Sequence, residues 1–249
     1  TMVVNNIQPV SYKQYKKSFL SKVVLSLLFD PSQISNDDLI ARFNKFAHSA
    51  FNVPVDKWEP GSALRISNKD NSIAFYFAYD GAIVELDGEK YQNFTNSQLP
   101  QLVKLVAFVK DVLSLSHIDT ISIRKLNAWD FSSSNDKNPS IEWVYEKIFS
   151  EALRNVLSTS NLTEQESKIR FFKKWQTEYN GCEVLIKSAY IQNTEDVGNT
   201  RLLLDTECSC NVNKIEIDDV TSQCQDVNKY LFDIFHWCVT SEVLELMEK

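Results

Sequence analysis

Glycine is scarce in this chain, five residues in 249, and the five are scattered. Loops that cradle phosphate need clustered glycines so that backbone N–H groups can close on the anion. No Gly-x-Gly-x-x-Gly or Walker-type pattern occurs, which excludes nucleotide and dinucleotide sites of the standard type. Histidine is scarcer still, with His48, His117 and His236 the whole supply. None lies in a nucleophile motif and no Gly-x-Ser-x-Gly elbow is present, so only a triad assembled from distant residues survives as nucleophilic chemistry. No apolar run approaches the ~20 residues needed to span a bilayer. Lys16, Lys17 and Lys22 before the apolar run 23–29 imitate a signal peptide, but the run is short, broken by Ser26 and without a small-residue cleavage site. A cytoplasmic protein without membrane contact is expected.

Cationic charge is also in deficit. The formal net charge of −7 opposes nonspecific attraction to nucleic acid or anionic lipid. One segment runs against it, combining Lys168, Arg170, Lys173 and Lys174 with Trp175, the mixture that grips single strands by charge and stacking. A half-buried edge element is the competing and preferred reading. The five cysteines all lie from Cys182 onward, an odd number in a chain too large to need staples, and read as free thiols. Cys208, Cys210, Cys224, His236 and Cys238 tempt as zinc ligands. On a straight helix, however, Cys224 and Cys238 stand roughly 21 Å apart and His236 faces away from Cys238. No metal and no cofactor are expected. Asp205-x-Glu207 puts two carboxylates on one strand face but lacks the lysine that often follows in metal-dependent nucleases.

What is present is ordinary globular composition, 43% hydrophobic and 24% charged. The run 23–29 reads as a buried strand and Ser35-Asn36-Asp37-Asp38 as the cap of a helix carrying Leu39, Phe43, Phe46 and Ala47. Strands at 63–67, 73–79 and 82–86 follow, the last two joined by Asp80-Gly81 so that Tyr79 opposes Ala82. A long helix is expected over 97–116, with Leu102, Val106, Val109 and Leu113 inward. The second half repeats the order: strand 118–126, polar excursion 127–139, one helix 141–156, strands at 168–178, 182–191 and 201–210, and a terminal helix from Val220. The reading is α+β, a curved antiparallel sheet with long helices packed on one face, formed by a duplicated strand-helix-strands-helix unit. One domain over 1–249, with pseudo-halves at about 18–116 and 117–249, is expected.

Three short motifs then stand out together. Val24-Leu25-Ser26-Leu27-Leu28-Phe29-Asp30-Pro31 is an apolar strand ending in Phe-Asp-Pro. Ile123-Arg124-Lys125-Leu126-Asn127 matches a central Leu-Arg-Tyr-Ile-Asn strand, with Lys125 and Leu126 in place of its aromatic-aliphatic pair. Phe235-His236-Trp237-Cys238-Val239-Thr240 matches a terminal Phe-x-x-x-Ile-Thr helix. In these the chain resembles a sporadically distributed family of uncharacterised prokaryotic proteins of similar length. The resemblance implies no activity, and its patchy distribution points to accessory or defence-type loci. Arg124, Asn127 and Trp129 are the candidate binding residues, with no catalytic residue assigned. The leading expectation is a non-enzymatic protein-binding or adaptor component whose partner is a protein, self-association being left open. A small-ligand sensor with a pocket between sheet and helices is the alternative, followed by a hydrolase or nuclease with a non-local site.

Overall fold

The structure is a computed structural model. It describes residues 6–31, 38–53, 62–132, 139–158, 163–164, 169–192 and 199–249, with the backbone alone at 132, 163–164 and 169–171. The chain is α+β, built on an antiparallel sheet that does not close. Its strands are β1 (Leu20–Leu28), β2 (Leu64–Ser67), β3 (Ile73–Phe77), β4 (Gly81–Asp87), β5 (His117–Ser132), β6 (Thr163–Glu164), β7 (Ile169–Tyr179), β8 (Cys182–Gln192) and β9 (Asn199–Glu216). They are ordered β2-β3-β4-β1-β5-β9-β8-β7-β6. In each half a meander (β2-β3-β4, then β7-β8-β9) sets its last strand beside the half's first, β1 or β5.

By its contacts the chain divides into two compact units of interleaved sequence. One comprises 23–123 and 209–228, the other 1–22, 124–208 and 229–249. In the first, helix α1 (Leu39–Phe51) and helix α2 (Leu99–Ala107) lay a phenylalanine cluster on β3, with Phe43, Phe77 and Phe108 wholly buried. The expected long helix is present, but wider turns at Phe94–Gln98 and Phe108–Val112 flank α2. Each wider turn adds a residue and rotates the buried stripe. The inward set is therefore Leu102, Leu105, Phe108, Val109, Val112 and Leu113, and Val106 drops out of it. Of the expected cap, 35–37 lie outside the described residues. Asp38 itself takes a left-handed conformation (φ 59°) and its side chain caps nothing.

The register of the β3–β4 hairpin corrects the expected one by two residues. Phe77, not Tyr79, opposes Ala82, and Phe75 opposes Val84. A slip of two keeps every side chain on its expected face, which is why the apolar pattern could not detect it. Gly81 does not have the positive φ of an Asp-Gly turn. It meets the flank of β1 instead, where an added Cβ would come within 2.9 Å of Leu28 Cδ2. The turn demanding positive φ is Asn180-Gly181 (φ 50° and 76°), which joins β7 to β8 with Tyr179 opposite Cys182.

In the second unit the expected single helix 141–156 is two, α3 (Ile141–Ile148) and α4 (Glu151–Ser158), separated by Phe149-Ser150. The C-terminal helix breaks likewise, α5 (Val220–Cys238) giving way at Val239-Thr240 to α6 (Ser241–Glu248). The two breaks clasp each other. Phe149 bridges Val239, Ser150 N–H donates to Cys238 O at 2.8 Å, and Thr240 N–H donates to Ile148 O at 2.9 Å. The hydroxyls repeat the exchange, Ser150 Oγ donating to Trp237 O (2.6 Å) and Thr240 Oγ1 to Lys147 O (2.9 Å). Each hydroxyl also accepts from the helix it starts, at Leu153 and Val243. Every break thus hands its orphan carbonyls to the other.

Candidate functional site

The three expected binding residues do not share a surface. Along β5 side chains alternate between faces, so Arg124 points opposite to Asn127 and Trp129. Arg124 forms a two-pronged ion pair with Asp205, at 2.7 and 2.6 Å, so its fork is occupied. Arg201 and Asp130 repeat that pairing between the same strands, at 2.6 and 2.9 Å. Asn127 (4% exposed) and Trp129 (6%) are buried, the indole packing on Phe19 with ring centroids 5.3 Å apart. The expected polar excursion is also corrected: β5 continues to Ser132, and 133–138 lie outside the described residues.

The aromatic-cationic segment is strand β7, as expected, and pleating divides it. Trp175 stacks on Trp237 of α5, centroids 5.3 Å apart, and so faces the helices. Lys173 shares that face, opposite buried Ser188, whereas Lys174 lies on the other, opposite Lys187. Lys168 and the Arg170 side chain lie outside the described residues. No single face therefore gathers Lys173, Lys174 and Trp175 into a strand-binding platform.

The cysteines correct the free-thiol expectation in part: Cys182 and Cys210 are disulfide-bonded, and Cys208, Cys224 and Cys238 are free and buried. Cys224, weighed in the sequence as a zinc ligand beside Cys208 and Cys210, is not grouped with them. Cys182 is, its Sγ within 4.8 Å of Cys208 Sγ. Burial pushes the Cys208 and Cys224 thiols up to about 12 and Cys238 still higher. Such thiols hold almost no thiolate at neutral pH. Native protein at pH 8 is expected to show no titratable thiol to a chromogenic disulfide reagent over an hour, and three on unfolding. Rapid reaction of even one native thiol contradicts this.

Lys125 stands between buried Ile123 and Asn127 on the inward-alternating face. Desolvation lowers its ammonium from 10.5 to about 8. Between pH 8 and 10 the unfolded chain therefore holds more protons than the folded one, and this group makes stability rise with pH. Lys125→Met is expected to remove that rise and to add about 1–2 kcal/mol at pH 7. The gain is discounted because the residue keeps some exposure. Urea unfolding of both proteins at pH 7, 8, 9 and 10 checks it; parallel pH profiles would contradict it.

Two hydrogen-bonded chains imitate catalytic relays. Ser116 Oγ lies 2.7 Å from His117 Nδ1, whose Nε2 lies 2.9 Å from Glu216 Oε1. The connectivity is that of a triad, the non-local arrangement sequence could not see. Its surroundings are not: Glu216 is 64% exposed, and the cavity beside His117 holds about 10 Å³, no more than one water. In the other, Tyr15 O–H reaches His236 Nε2 at 2.6 Å while His236 Nδ1 reaches Phe232 O at 2.8 Å. Burial raises the Tyr15 phenol and lowers the His236 imidazolium, so both stay neutral and neither is activated.

A cavity of about 410 Å³ lies in the unit formed by 23–123 and 209–228, between the end of α1, the β2–β3 hairpin and α2. Phe51, Val53, Ile66, Ile73 and Phe75 make its wall apolar. Asn52 ends α1 beside it in a left-handed conformation (φ 54°), its N–H on His48 O. Across the cavity, Lys104 Nζ sits 5.2 Å from the Phe51 ring centroid and 5.6 Å from that of Phe75. One turn earlier on α2, Gln101 Oε1 is buried and accepts no hydrogen bond.

No protein-family model and no curated protein matches this chain. Two of the three sequence motifs have structural work. Phe29 and Asp30 anchor the end of β1, through Phe29 N–H to Asp80 O and Asp30 N–H to Asp119 Oδ2. Val239 and Thr240 form half of the clasp between helix breaks. Tyr145-x-x-x-Phe149-Ser150 is the other half, with the same spacing, a signal legible in the sequence. The cavity residues were missed because they come from four separate elements with no local motif.

Proposed function

We propose that the chain is a binding protein whose ligand is a small, largely apolar molecule held in the cavity between α1, the β2–β3 hairpin and α2. The observation that supports this most is the cavity itself. It has the size of small-molecule sites, apolar walls, and a few polar groups at one side, the usual composition of such sites. Of the three readings the sequence left open, this is the small-ligand sensor. A protein partner has one specific support, in the other unit. Trp143 is 48% exposed and meets Phe131 edge-on, centroids 6.0 Å apart, with Lys147 Nζ 5.9 Å over its ring.

Ala50 lines the cavity from the end of α1, and Ala50→Trp would fill it. A ligand at a hundred times its Kd is expected to add about 2.7 kcal/mol to the stability of the unsubstituted protein, read as a rise in Tm. Ala50→Trp is expected to melt close to the parent temperature without ligand and to lose the ligand-dependent rise. A rise that survives in Ala50→Trp would place binding elsewhere, and a panel of small amphiphiles giving no rise at all would sink the reading.

A further inference from the structure

We infer that the ligand of this cavity is a monocarboxylate with an apolar tail, its carboxylate held by Lys104 and Gln101. The inference rests on the binding reading above and adds the chemical class. Among the polar residues of the lining, Asn68 is spent on the hairpin turn: its Nδ2 donates to Ser72 Oγ and its Oδ1 accepts from Ile73 N–H. Ser67 Oγ accepts from Arg65. Lys104 and Gln101 are spent on nothing of the kind. Neither side chain forms a hydrogen bond or ion pair among the described residues, the ammonium resting only on the faces of Phe51 and Phe75.

Their spacing, three residues apart on one helix, brings the two polar ends to the same side of the cavity. No acidic side chain lines the cavity among the described residues. A cation beside an amide, facing apolar walls and lacking an anion, is complementary to a carboxylate: the ammonium donates to one oxygen, and the Gln101 amide, whose Oε1 is held by no partner, turns to donate its Nε2 to the other. They are mismatched to an amine, and they offer a neutral amide no charge to pair with. Volume limits the tail. At about 30 Å³ for each water-sized group, 410 Å³ takes roughly a dozen non-hydrogen atoms, a chain of about eight carbons with its carboxylate.

The test uses three probes of one shape: octanoate, octanamide and octylammonium. Calorimetric titration of the full chain at pH 7 and low salt is expected to give octanoate at least tenfold tighter binding than octanamide, and none for octylammonium. Lys104→Met is expected to bring octanoate down to the octanamide level, and Lys104→Arg to retain most of the difference. Octanamide binding as tightly as octanoate, or octanoate indifferent to Lys104→Met, overturns the carboxylate assignment. If octanamide binding is then blocked by Ala50→Trp, the cavity reading stands and only the ligand class falls. If none of the three binds, both fall. Circular dichroism of each variant before titration separates lost affinity from lost fold.

Discussion

Phe77→Ala is expected to lower the unfolding free energy by about 3–5 kcal/mol, the cost of emptying a large aromatic site in a core that collapses only partly around it. Phe77 is fully buried on β3. Its ring centroid lies 4.6 Å from Phe108, 5.6 Å from Phe46, 5.8 Å from Phe43 and from Phe75, and 5.9 Å from Phe51. These five neighbours come from α1, the turn after α2, and Phe77's own strand, so the ring joins both helices to the sheet. Dispersion and edge-to-face contacts are lost together with the buried area, which puts the expected loss at the upper end for a side-chain truncation. Urea unfolding followed by tryptophan fluorescence reads the effect as a fall in the midpoint at unchanged slope. Phe51→Ala, at the cavity rim and half-buried, supplies the comparison and is expected to cost about half as much. A Phe77→Ala loss under about 1.5 kcal/mol would mean that this cluster is loosely packed.

The cluster shows why the fold was largely legible and the site was not. Phe43 and Phe46 on helical spacing, and Phe75 and Phe77 on strand spacing, declare their elements through periodicity. The same two-residue period is blind to a register slip of two, and the β3–β4 hairpin took it. Helix breaks were hidden for a related reason. Phe149 and Val239 are apolar and continue the helical stripe, and only the hydroxyl residues after them, Ser150 and Thr240, signal a new N-terminus. Asn180-Gly181 was an available signal, the dipeptide most suited to a two-residue hairpin, and it marks the β7–β8 turn. By contrast the cavity joins Phe51 to Phe75 and Gln101 across elements separated by dozens of residues. Arg124, chosen from a motif, turned out to be neutralised by Asp205, 81 residues away. Pairings of that range are settled by topology, and periodicity carries no record of them.

Asp233→Ala is expected to destabilise the protein by about 2–4 kcal/mol, because one nearly inaccessible carboxylate (2% exposed) satisfies three donors. Oδ1 accepts from Val10 N–H at 3.0 Å and from Lys229 Nζ at 2.8 Å, and Oδ2 accepts from Tyr179 O–H at 3.0 Å. Lys229 Nζ also donates to Val10 O at 2.8 Å. A single side chain on α5 therefore ties the polar N-terminal segment, β7 and its own helix together. Lys229 is 41% exposed and recovers water when the carboxylate goes, so most of the cost falls on Tyr179 and the Val10 amide. Asp233→Asn keeps one acceptor and should cost about half. The pH profile gives a second readout. Burial, and then the neighbouring Asp233, push the Tyr179 phenol up to about 12. From pH 10 to 12 the folded chain holds a proton that the unfolded chain has lost, so this group makes stability fall as pH rises. Removing Asp233 takes away part of the upward push and flattens that fall. Limited proteolysis locates the damage. Cleavage in 7–16 is expected to accelerate in Asp233→Ala and to stay at the parent rate in Phe77→Ala under conditions where both remain folded. Equal acceleration in the two would show that the segment is released by global unfolding and that Asp233 is not its anchor.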